Sequence, residues 1–417
     1  MPFRRSRHGP AGPATWLTVN AGFEAVGDSL ARTLLPIVAV STLGAGTAAV
    51  GVINSLGLLA FLLLSMPLGI HADRSRDPQR FMETSTILRA AVAASGAAAW
   101  LAGWLQGAAG LALLVAMAAI IGVADVVYAS GLGLLIPRMV TKEDIRETMG
   151  KVQSASQAGN AAGPVLLSGL LALVAPPLAW LGSTAAYLAS WGAQRRFLQT
   201  PPGGAPARRT SSWNDARNGA SLLLGHPLLA RVTIANMLNN AAVMSANTLL
   251  PVVALREFKL SPTVVAMTGT AGALAGILGA LLGARITSIW GLRLTRLATA
   301  AAATLATGMV ITVTAISGTP PHMKLLAVAS QACIAGAATS IALIAGSDLA
   351  PRLIPQEQLG VVQGAQRTLT MGVMPVAALV SGWLGAAAGL PTALATWGLL
   401  TLASGVPFCN SSDPQES

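Results

Sequence analysis

Three carboxylates and one arginine stand within long apolar runs of this chain, where few charges are found. Glu24, Asp28 and Arg32 follow one another at intervals of four residues, so a helix would carry all three on one face. Asp125 lies near the middle of a later apolar run. If these runs cross a bilayer, each charge costs at least about 2.5 to 3.5 kcal/mol on insertion scales, so its presence needs a reason.

Two kinds of chemistry would supply that reason. Asp28 could pair with Arg32, which would make both residues structural. Alternatively, a carboxylate could take up and release a proton as a surrounding cavity changes the side to which it opens. We therefore name Asp28, Asp125 and Glu24 as candidate proton-coupling residues and Arg32 as an ion-pair partner.

Metal, ATP and enzyme chemistry are not indicated. The histidines have no ligand spacing, there is no Gly-x-x-x-x-Gly-Lys-Ser/Thr phosphate loop, and no nucleophile and base share one depth. We expect neither a cofactor nor a metal, and we expect that the protein is not an enzyme.

Composition indicates which elements must position these charges. Charged residues are 10% of the chain, apolar residues are 53%, and the mean hydropathy is +0.64. Soluble domains carry roughly 25% charged residues. Runs rich in Ala, Gly and Leu recur at about the 20 residues that a helix needs to span a bilayer. The sequence predicts an all-α integral membrane protein with twelve spans, at 14–40, 47–70, 82–104, 108–136, 150–174, 176–198, 227–254, 262–286, 292–316, 323–350, 358–385 and 389–408.

An internal repeat divides the chain in two. Residues 33–40 read Thr-Leu-Leu-Pro-Ile-Val-Ala-Val and residues 248–255 read Thr-Leu-Leu-Pro-Val-Val-Ala-Leu. Gly122 and Gly336 match at nearly the same offset. Repeated membrane halves are typical of secondary transporters. We predict two pseudo-symmetric six-helix bundles, 1–198 and 227–417, joined by a basic cytoplasmic linker at 199–226.

The distribution of Lys and Arg predicts the orientation. With the N-terminus in the cytoplasm, most basic residues fall on the cytoplasmic side, and only Arg256, Lys259 and Lys324 fall outside. This asymmetry explains the net charge of +11 as a topology signal, so we do not expect nucleic acid as a partner. We predict a multi-pass protein of the cell (inner or plasma) membrane with both termini in the cytoplasm.

A charged turn after the second span is a candidate conformational latch. Gly69, Asp73 and Arg74 precede Arg80 at the predicted cytoplasmic side. A carboxylate beside arginines at a helix end can bond a neighbouring helix in one conformation and release it in another. The alternative is an ordinary charged turn.

The fifth span contains Gly150, Gly159, Gly163, Pro164 and Gly169. The proline removes a helix hydrogen bond and the glycines open a smooth face, so this helix could bend and rock against a neighbour. Glycine-rich membrane helices often share such spacing without this role.

From Asn236 to Asn247 the seventh span is polar but uncharged. Asn239 stands at the repeat position of Glu24, and Asn236 and Asn240 flank it. These amides could bind a solute in a substrate cavity, or they could hydrogen-bond neighbouring helices.

Several of these segments resemble the major facilitator superfamily. The turn from Gly69 to Arg80 is similar to the family's loop motif between helices 2 and 3, and the fifth span is similar to its antiporter motif. A closer resemblance, to the branch of bacterial macrolide-efflux and enterobactin-exporter proteins, rests on Gly27-Asp28, on 135–138 (Leu-Ile-Pro-Arg) followed by Glu143-Asp144, and on 218–229.

The resemblance implies a monomer in which helices 1, 4, 7 and 10 line a central cavity and the bundles alternate by a rocker switch. Glu24, Asp28 and Asp125 would face that cavity, and Asp73 could latch onto helix 11 and Arg138. It implies proton-driven export of a small amphipathic or hydrophobic compound such as a drug, siderophore or secondary metabolite, with multidrug resistance as one outcome. The partners would be this small molecule, protons and membrane lipid. A proton-coupled importer, a lipid or lysolipid flippase and a transport-dead membrane sensor remain alternatives.

Overall fold

The computed structural model describes residues 12–74, 78–140, 144–197 and 213–409, and within these ranges the chain is helical apart from short turns. The helices are α1 (Pro13–Leu43), α2 (Thr47–Arg74), α3 (Pro78–Leu101), α4 (Gly107–Met139), α5 (Ile145–Leu173), α6 (Trp180–Phe197), α7 (Trp213–Gly225), α8 (Pro227–Val252), α9 (Pro262–Ala315), α10 (Pro321–Ile344), α11 (Leu349–Leu353), α12 (Gln356–Ala387) and α13 (Leu390–Ala403). The predicted all-α fold is confirmed.

Helix α9 accounts for two of the predicted spans. It has 54 residues, and at about 1.5 Å per residue it is far longer than a bilayer crossing requires. Gly291 interrupts it with φ 74° and ψ 168°. Because glycine has no Cβ, it adopts this left-handed φ readily. Residues 262–290 and 292–315 therefore form separate crossings, and each of the twelve predicted spans corresponds to a helix or to one half of α9.

Seven of the described helices are long and apolar enough to cross a membrane. Helix α3 is long enough but more polar, because it carries Ser85, Thr86 and Arg89. All three side chains are buried, so their polarity faces other helices.

The repeat in the sequence reappears as the same helix contact in both halves. In the first half, α4 crosses α2 so closely that a Cβ on Gly122 would lie 2.6 Å from the carbonyl oxygen of Gly57. In the second half, α10 crosses the first part of α9, and a Cβ on Gly336 would overlap the carbonyl oxygen of Gly272. Equivalent glycines therefore bring equivalent helices into backbone contact, as small residues do in lipid.

The second part of the predicted linker is a helix packed on the second half. Residues 199–212 lie outside the described ranges, and α7 follows them. A Cβ on Gly219 of α7 would overlap the carbonyl oxygen of Val361 in α12. Leu223 is fully buried in a cluster with Leu229 and Val362. This part of the linker is thus a packed element and not a solvated tether.

Contacts between the halves gather at the end of the molecule where α1 ends and α2 begins. Thr47 donates a hydrogen bond to the carbonyl oxygen of Gly382 at 3.0 Å, which joins α2 to α12. Thr263 donates to the carbonyl oxygen of Leu171 at 2.8 Å, which joins α9 to α5. We call the region around these two crossings the seal.

A larger side chain at Gly382 should open the seal. Its Cβ would lie 2.7 Å from the carbonyl oxygen of Thr47 and 2.9 Å from the Cα of Gly51, so Gly382→Val forces α2 and α12 apart. We expect longer distances between spin labels at positions 48 and 387, measured by double electron–electron resonance.

Gly308→Val is the matched control, since a Cβ at Gly308 has no atom within 4 Å. Equal label distances in Gly382→Val and in the parent protein would show that this glycine contact does not hold the seal closed.

Candidate functional site

Arg89 of α3 lies at the centre of a polar cluster inside the first half. Its side chain is fully buried, and Nη2 is ion-paired with Glu24 of α1. Nη1 lies 2.8 Å from Oδ1 of Asp28 in α1 and 2.8 Å from Oδ1 of Asp125 in α4. One guanidinium therefore holds the three carboxylates that the sequence singled out. Arg89, these carboxylates and Arg32 are called the Arg89 cluster below.

Hydroxyl groups enclose the most buried carboxylate of the cluster. Thr86 donates to Glu24 at 3.2 Å, and Ser190 of α6 donates to its other oxygen. Gln194 in turn donates to the hydroxyl of Thr86 at 2.9 Å. Since Glu24 is only 2% exposed, these bonds and Arg89 replace the water that a free carboxylate would bind.

The chain has two tyrosines, and both pack against Arg89. Tyr187 donates to Oδ1 of Asp28 at 2.7 Å, and its ring centroid lies 5.2 Å from the guanidinium carbon. The ring of Tyr128 lies at 5.0 Å. A Cβ on Gly27 would lie 2.7 Å from the Tyr187 ring, so the glycine beside Asp28 makes room for its hydrogen-bond partner.

Arg32 connects the cluster to the central cavity. It is ion-paired with Asp125, whereas Asp28 pairs with Arg89. The sequence alternative of an Asp28–Arg32 pair is thus replaced by a pairing across helices. Arg32 also donates to the carbonyl oxygen of Gly57 at 3.2 Å. It is 34% exposed and lines the cavity.

Charge counting shows what the cluster can do chemically. With every group ionised, three carboxylates face two arginines, so the cluster carries one net negative charge. Uptake of one proton makes it neutral. Because a net charge at this depth is costly, the arrangement suits a site that binds one proton.

The central cavity lies between the halves and has a volume of about 800 Å³. Its lining is mostly apolar, and among its described lining residues Arg32 carries the one charge and Trp397 is the one aromatic side chain. Carboxamide side chains supply hydrogen-bonding groups, and they belong to Asn54, Gln157, Asn160, Asn239, Asn247 and Gln331. A cavity of this kind suits a compound with apolar surface and uncharged polar groups.

The three asparagines predicted to line the cavity have different surroundings in the structure. Asn239 lines the cavity. Asn236 instead accepts a hydrogen bond from Arg296 at 2.7 Å, and Asn240 donates to the carbonyl oxygen of Thr370 at 2.9 Å. The three amides lie on the same side of α8, and Asn236 is about one turn from the other two, so they meet different neighbours at different heights along the helix.

The predicted proton-coupling residues also differ in exposure. Asp28 and Asp125 are 23% and 19% exposed at their side chains, whereas Glu24 is enclosed. None of the three lines the central cavity. Arg32, which does line it, is ion-paired with Asp125.

Two glycines of the fifth span face α1. A Cβ on Gly159 would overlap the carbonyl oxygen of Gly22, and one on Gly163 would overlap the hydroxyl of Ser29. Pro164 lines the central cavity.

The other two glycines, Gly150 and Gly169, have no atom within 4 Å of an added Cβ. The smooth face of α5 is therefore shorter than the predicted motif.

The candidate latch remains a prediction. Gly69, Asp73 and Arg74 fall in the last turns of α2, and Arg138 falls near the end of α4, but their side chains lie outside the described part of the structure. Arg80 is exposed in the first turn of α3.

Arg89 was absent from the candidates drawn from the sequence, although a signal for it existed. It lies within an apolar span, as Asp28 and Asp125 do, and an arginine at that depth needs a partner by the same energetic argument. A count of opposite charges among the spans would have marked Arg89 as a candidate partner for these carboxylates.

Comparison with known proteins places the chain in a family. Residues 17–375 match the model of the Major Facilitator Superfamily. The chain belongs to this superfamily. No curated protein gives a significant match in sequence.

Solved structures with the same fold include the nucleoside transporter NupG, with a TM-score of 0.72, 15% identity and coverage of 95% of this chain and 98% of that one. A bacterial homologue of the iron transporter ferroportin in its inward-facing state has a TM-score of 0.71, 16% identity and coverage of 95% and 97%. A POT family transporter in complex with 5-aminolevulinic acid has a TM-score of 0.68, 12% identity and coverage of 94% of both chains. At these identities the likeness concerns the fold.

Membership of the major facilitator superfamily makes the chain a multi-pass membrane protein and a secondary transporter. The Arg89 cluster and the central cavity are then two candidate sites of this transporter, one for an ion and one for a solute.

Removal of Arg89 should strongly destabilise the transporter. Arg89→Gln removes the cation that three carboxylates share and leaves the buried Glu24 without an ion pair among the described residues. Breaking a buried pair in this way costs about 3 to 5 kcal/mol. We expect a large fall in the thermal unfolding midpoint of the detergent-solubilised protein.

Arg195→Gln is the control on the neighbouring helix α6, since Arg195 is 63% exposed and 3.7 Å from its partner Glu83. Equal unfolding midpoints for the two variants would contradict a structural role for the Arg89 ion pairs.

Proposed function

We propose that this transporter exports a small amphipathic or hydrophobic compound, such as a drug, a siderophore or a secondary metabolite, in exchange for protons. The observation that carries the proposal is the Arg89 cluster, with one carboxylate more than its cations and a direct connection to the central cavity through Arg32.

Asp28 is the best candidate to carry the proton. Asp125 is held by two arginines, and Glu24 is enclosed by Arg89 and hydroxyl donors. Asp28 shares Arg89, has no second ion pair among the described residues, and has the most exposed side chain of the three carboxylates. A proton on Asp28 therefore disturbs one ion pair where a proton on Asp125 disturbs two, and it meets one hydroxyl donor where Glu24 meets two.

Arg32 supplies a route by which substrate and proton influence each other. It is half-exposed in the cavity while it pairs with Asp125. A substrate group that displaces Arg32 towards Asp125 would strengthen this pair, and Arg89 would then be more available to Asp28. Asp28 would hold a proton less readily, which is the competition that antiport requires.

The lining of the cavity supports an amphipathic substrate. Its apolar surface removes a hydrophobic compound from water, and its carboxamides can donate and accept hydrogen bonds without charge. The nearly complete absence of aromatic side chains from the described lining argues against stacking as the main source of affinity.

The proposed orientation makes this conformation open to the cytoplasm. The seal lies at the end that the distribution of Lys and Arg assigns to the exterior. The same distribution puts both termini on the cytoplasmic side of the cell membrane. We propose that 1–198 and 227–417 rock as two bodies of a monomer about the central cavity, with 199–226 as linker.

Proton exchange can be measured directly. We expect the purified protein in weakly buffered detergent solution to release protons when amphipathic compounds bind, and we expect Asp28→Asn to abolish this release. The same variant should retain substrate counterflow in liposomes, because the amide mimics the protonated carboxyl and preserves the fold.

Asp348→Asn is the matched control, since Asp348 is an exposed carboxylate that pairs only with Arg352 among the described residues. Ligand binding without proton release in the parent protein would reject antiport and favour a lipid or lysolipid flippase. Proton uptake together with substrate binding would favour a proton-coupled importer.

A further inference from the structure

The repeat shows which residue of the second half corresponds to Arg89. Helix α3 runs from residue 78 to 101, and the second part of α9 runs from 292 to 315. The two segments therefore correspond at an offset of 214, which is also the offset between Gly122 and Gly336. At this offset Arg89 repeats as Ala303.

The other members of the Arg89 cluster also repeat as uncharged side chains. The buried positions 180, 183 and 187 of α6 recur as buried positions 394, 397 and 401 of α13, so the same offset holds there. The second half has Asn239 for Glu24, Val243 for Asp28, Thr339 for Asp125 and Thr401 for Tyr187. Bulky and ionised groups of one half are thus small and neutral in the other.

The central cavity extends into the space that these smaller side chains leave. Asn239, Val243, Ala303, Thr339 and Thr401 all line the cavity, whereas their counterparts in the first half do not. Arg89 and Tyr187 fill the interior of the first half and are themselves fully buried. We call this extension the recess, and its wall consists of the five lining residues together with Thr307 and Gln331.

Two polar groups in the recess are buried and unpartnered. Gln331 of α10 is 4% exposed and Thr307 of α9 is 1% exposed. Among the described residues, neither side chain has a hydrogen-bond partner. A buried amide can donate and accept, and leaving it without partners is costly. Both groups are therefore available to a molecule bound in the recess.

The absence of charge limits what the recess can hold. None of its wall residues is ionisable, and the one charge among the described residues that line the cavity is Arg32 of the first half. An ionised group placed in the recess would lose its hydration without gaining a counter-charge. An uncharged group would instead bury apolar surface against Val243 and Ala303.

We propose that the recess is the subsite for an uncharged apolar group of the substrate, such as a ring, whose carbonyl, amide or hydroxyl group hydrogen-bonds Gln331 and Thr307. The inference rests on the proposed function only in that the bound molecule is the transported one. The rest of the substrate would lie in the central cavity, which Arg32 also lines. Equivalent positions of the duplicated scaffold would then bind the proton in the first half and the substrate in the second.

Photolabelling of the purified full-length protein in detergent tests the subsite without a proton gradient. The probe is tritiated 4-(hydroxymethyl)benzophenone, which is neutral, has two rings and a hydroxyl group, and carries a ketone that forms bonds to nearby C–H groups under near-ultraviolet light. The signal is the labelling that excess unlabelled probe prevents. We expect it to saturate and to map to peptides from the second part of α9, α10 or α13.

Two variants examine the recess from different sides. Gln331→Leu keeps the volume of the side chain but removes its hydrogen bonds, so it should weaken probe affinity about two- to tenfold. Ala303→Phe fills the recess and should abolish the preventable labelling. If Ala303→Phe does not fold, Gln331→Leu still tests the subsite.

Matched substitutions outside the recess serve as controls. Gly308→Phe places the same ring on the same helix segment, at a position where an added Cβ has no atom within 4 Å. Gln363→Leu makes the same change at an exposed position of α12. Both should leave probe affinity unchanged. The anion 4-benzoylbenzoate should compete at least about tenfold less well than the neutral probe, because the recess offers it no counter-charge.

Three results would overturn the proposal: no preventable labelling in the parent protein, unchanged affinity in both Gln331→Leu and Ala303→Phe, or equal competition by 4-benzoylbenzoate. Proton release is measured separately on the same samples. Labelling in the recess without proton release would support the subsite and reject antiport. Proton release with unchanged affinity in both variants would reject the subsite alone.

Discussion

A charge inside a bilayer must be neutralised by the protein itself, and the ion pairs of Arg89 meet this requirement for the first half. The guanidinium joins α3 to carboxylates on α1 and α4, while Tyr187 and Ser190 bring α6 to the same point. A rotation of any of these helices would separate a charge from its partner. The cluster therefore fixes how four helices face one another as well as what they can bind.

The two halves share a backbone design but differ in chemistry. Gly57 with Gly122 and Gly272 with Gly336 produce the same close crossing in each half. Carboxylates then fill the interior of the first half, and asparagine stands at the position that repeats Glu24 in the second. A duplicated scaffold can carry such a difference because helix packing depends on small residues at the crossings, whereas the polar interior lies elsewhere.

The seal combines close packing with few polar bonds. Glycines on α2 and α12 allow backbone contact, and single hydroxyl groups such as those of Thr47 and Thr263 bridge to carbonyl oxygens. Contacts of this kind hold an interface in hydrocarbon without burying a charge there. An interface that must open in each transport cycle benefits from having few polar bonds, because its separation leaves few groups without a hydrogen-bond partner.

The sequence alone determined the all-α membrane class, the twelve crossings and the duplication, because span length, apolar composition and a repeated motif are local properties that lipid enforces on any chain. It also selected Glu24, Asp28 and Asp125, since a charge in an apolar run is visible without a structure. Only the tertiary structure decided which arginine pairs with which carboxylate. Arg89 and Arg32 reach their carboxylates across helices, and Arg296 finds no carboxylate among the described residues. Pairing between helices depends on rotation and depth, and the order of residues along one helix does not encode either.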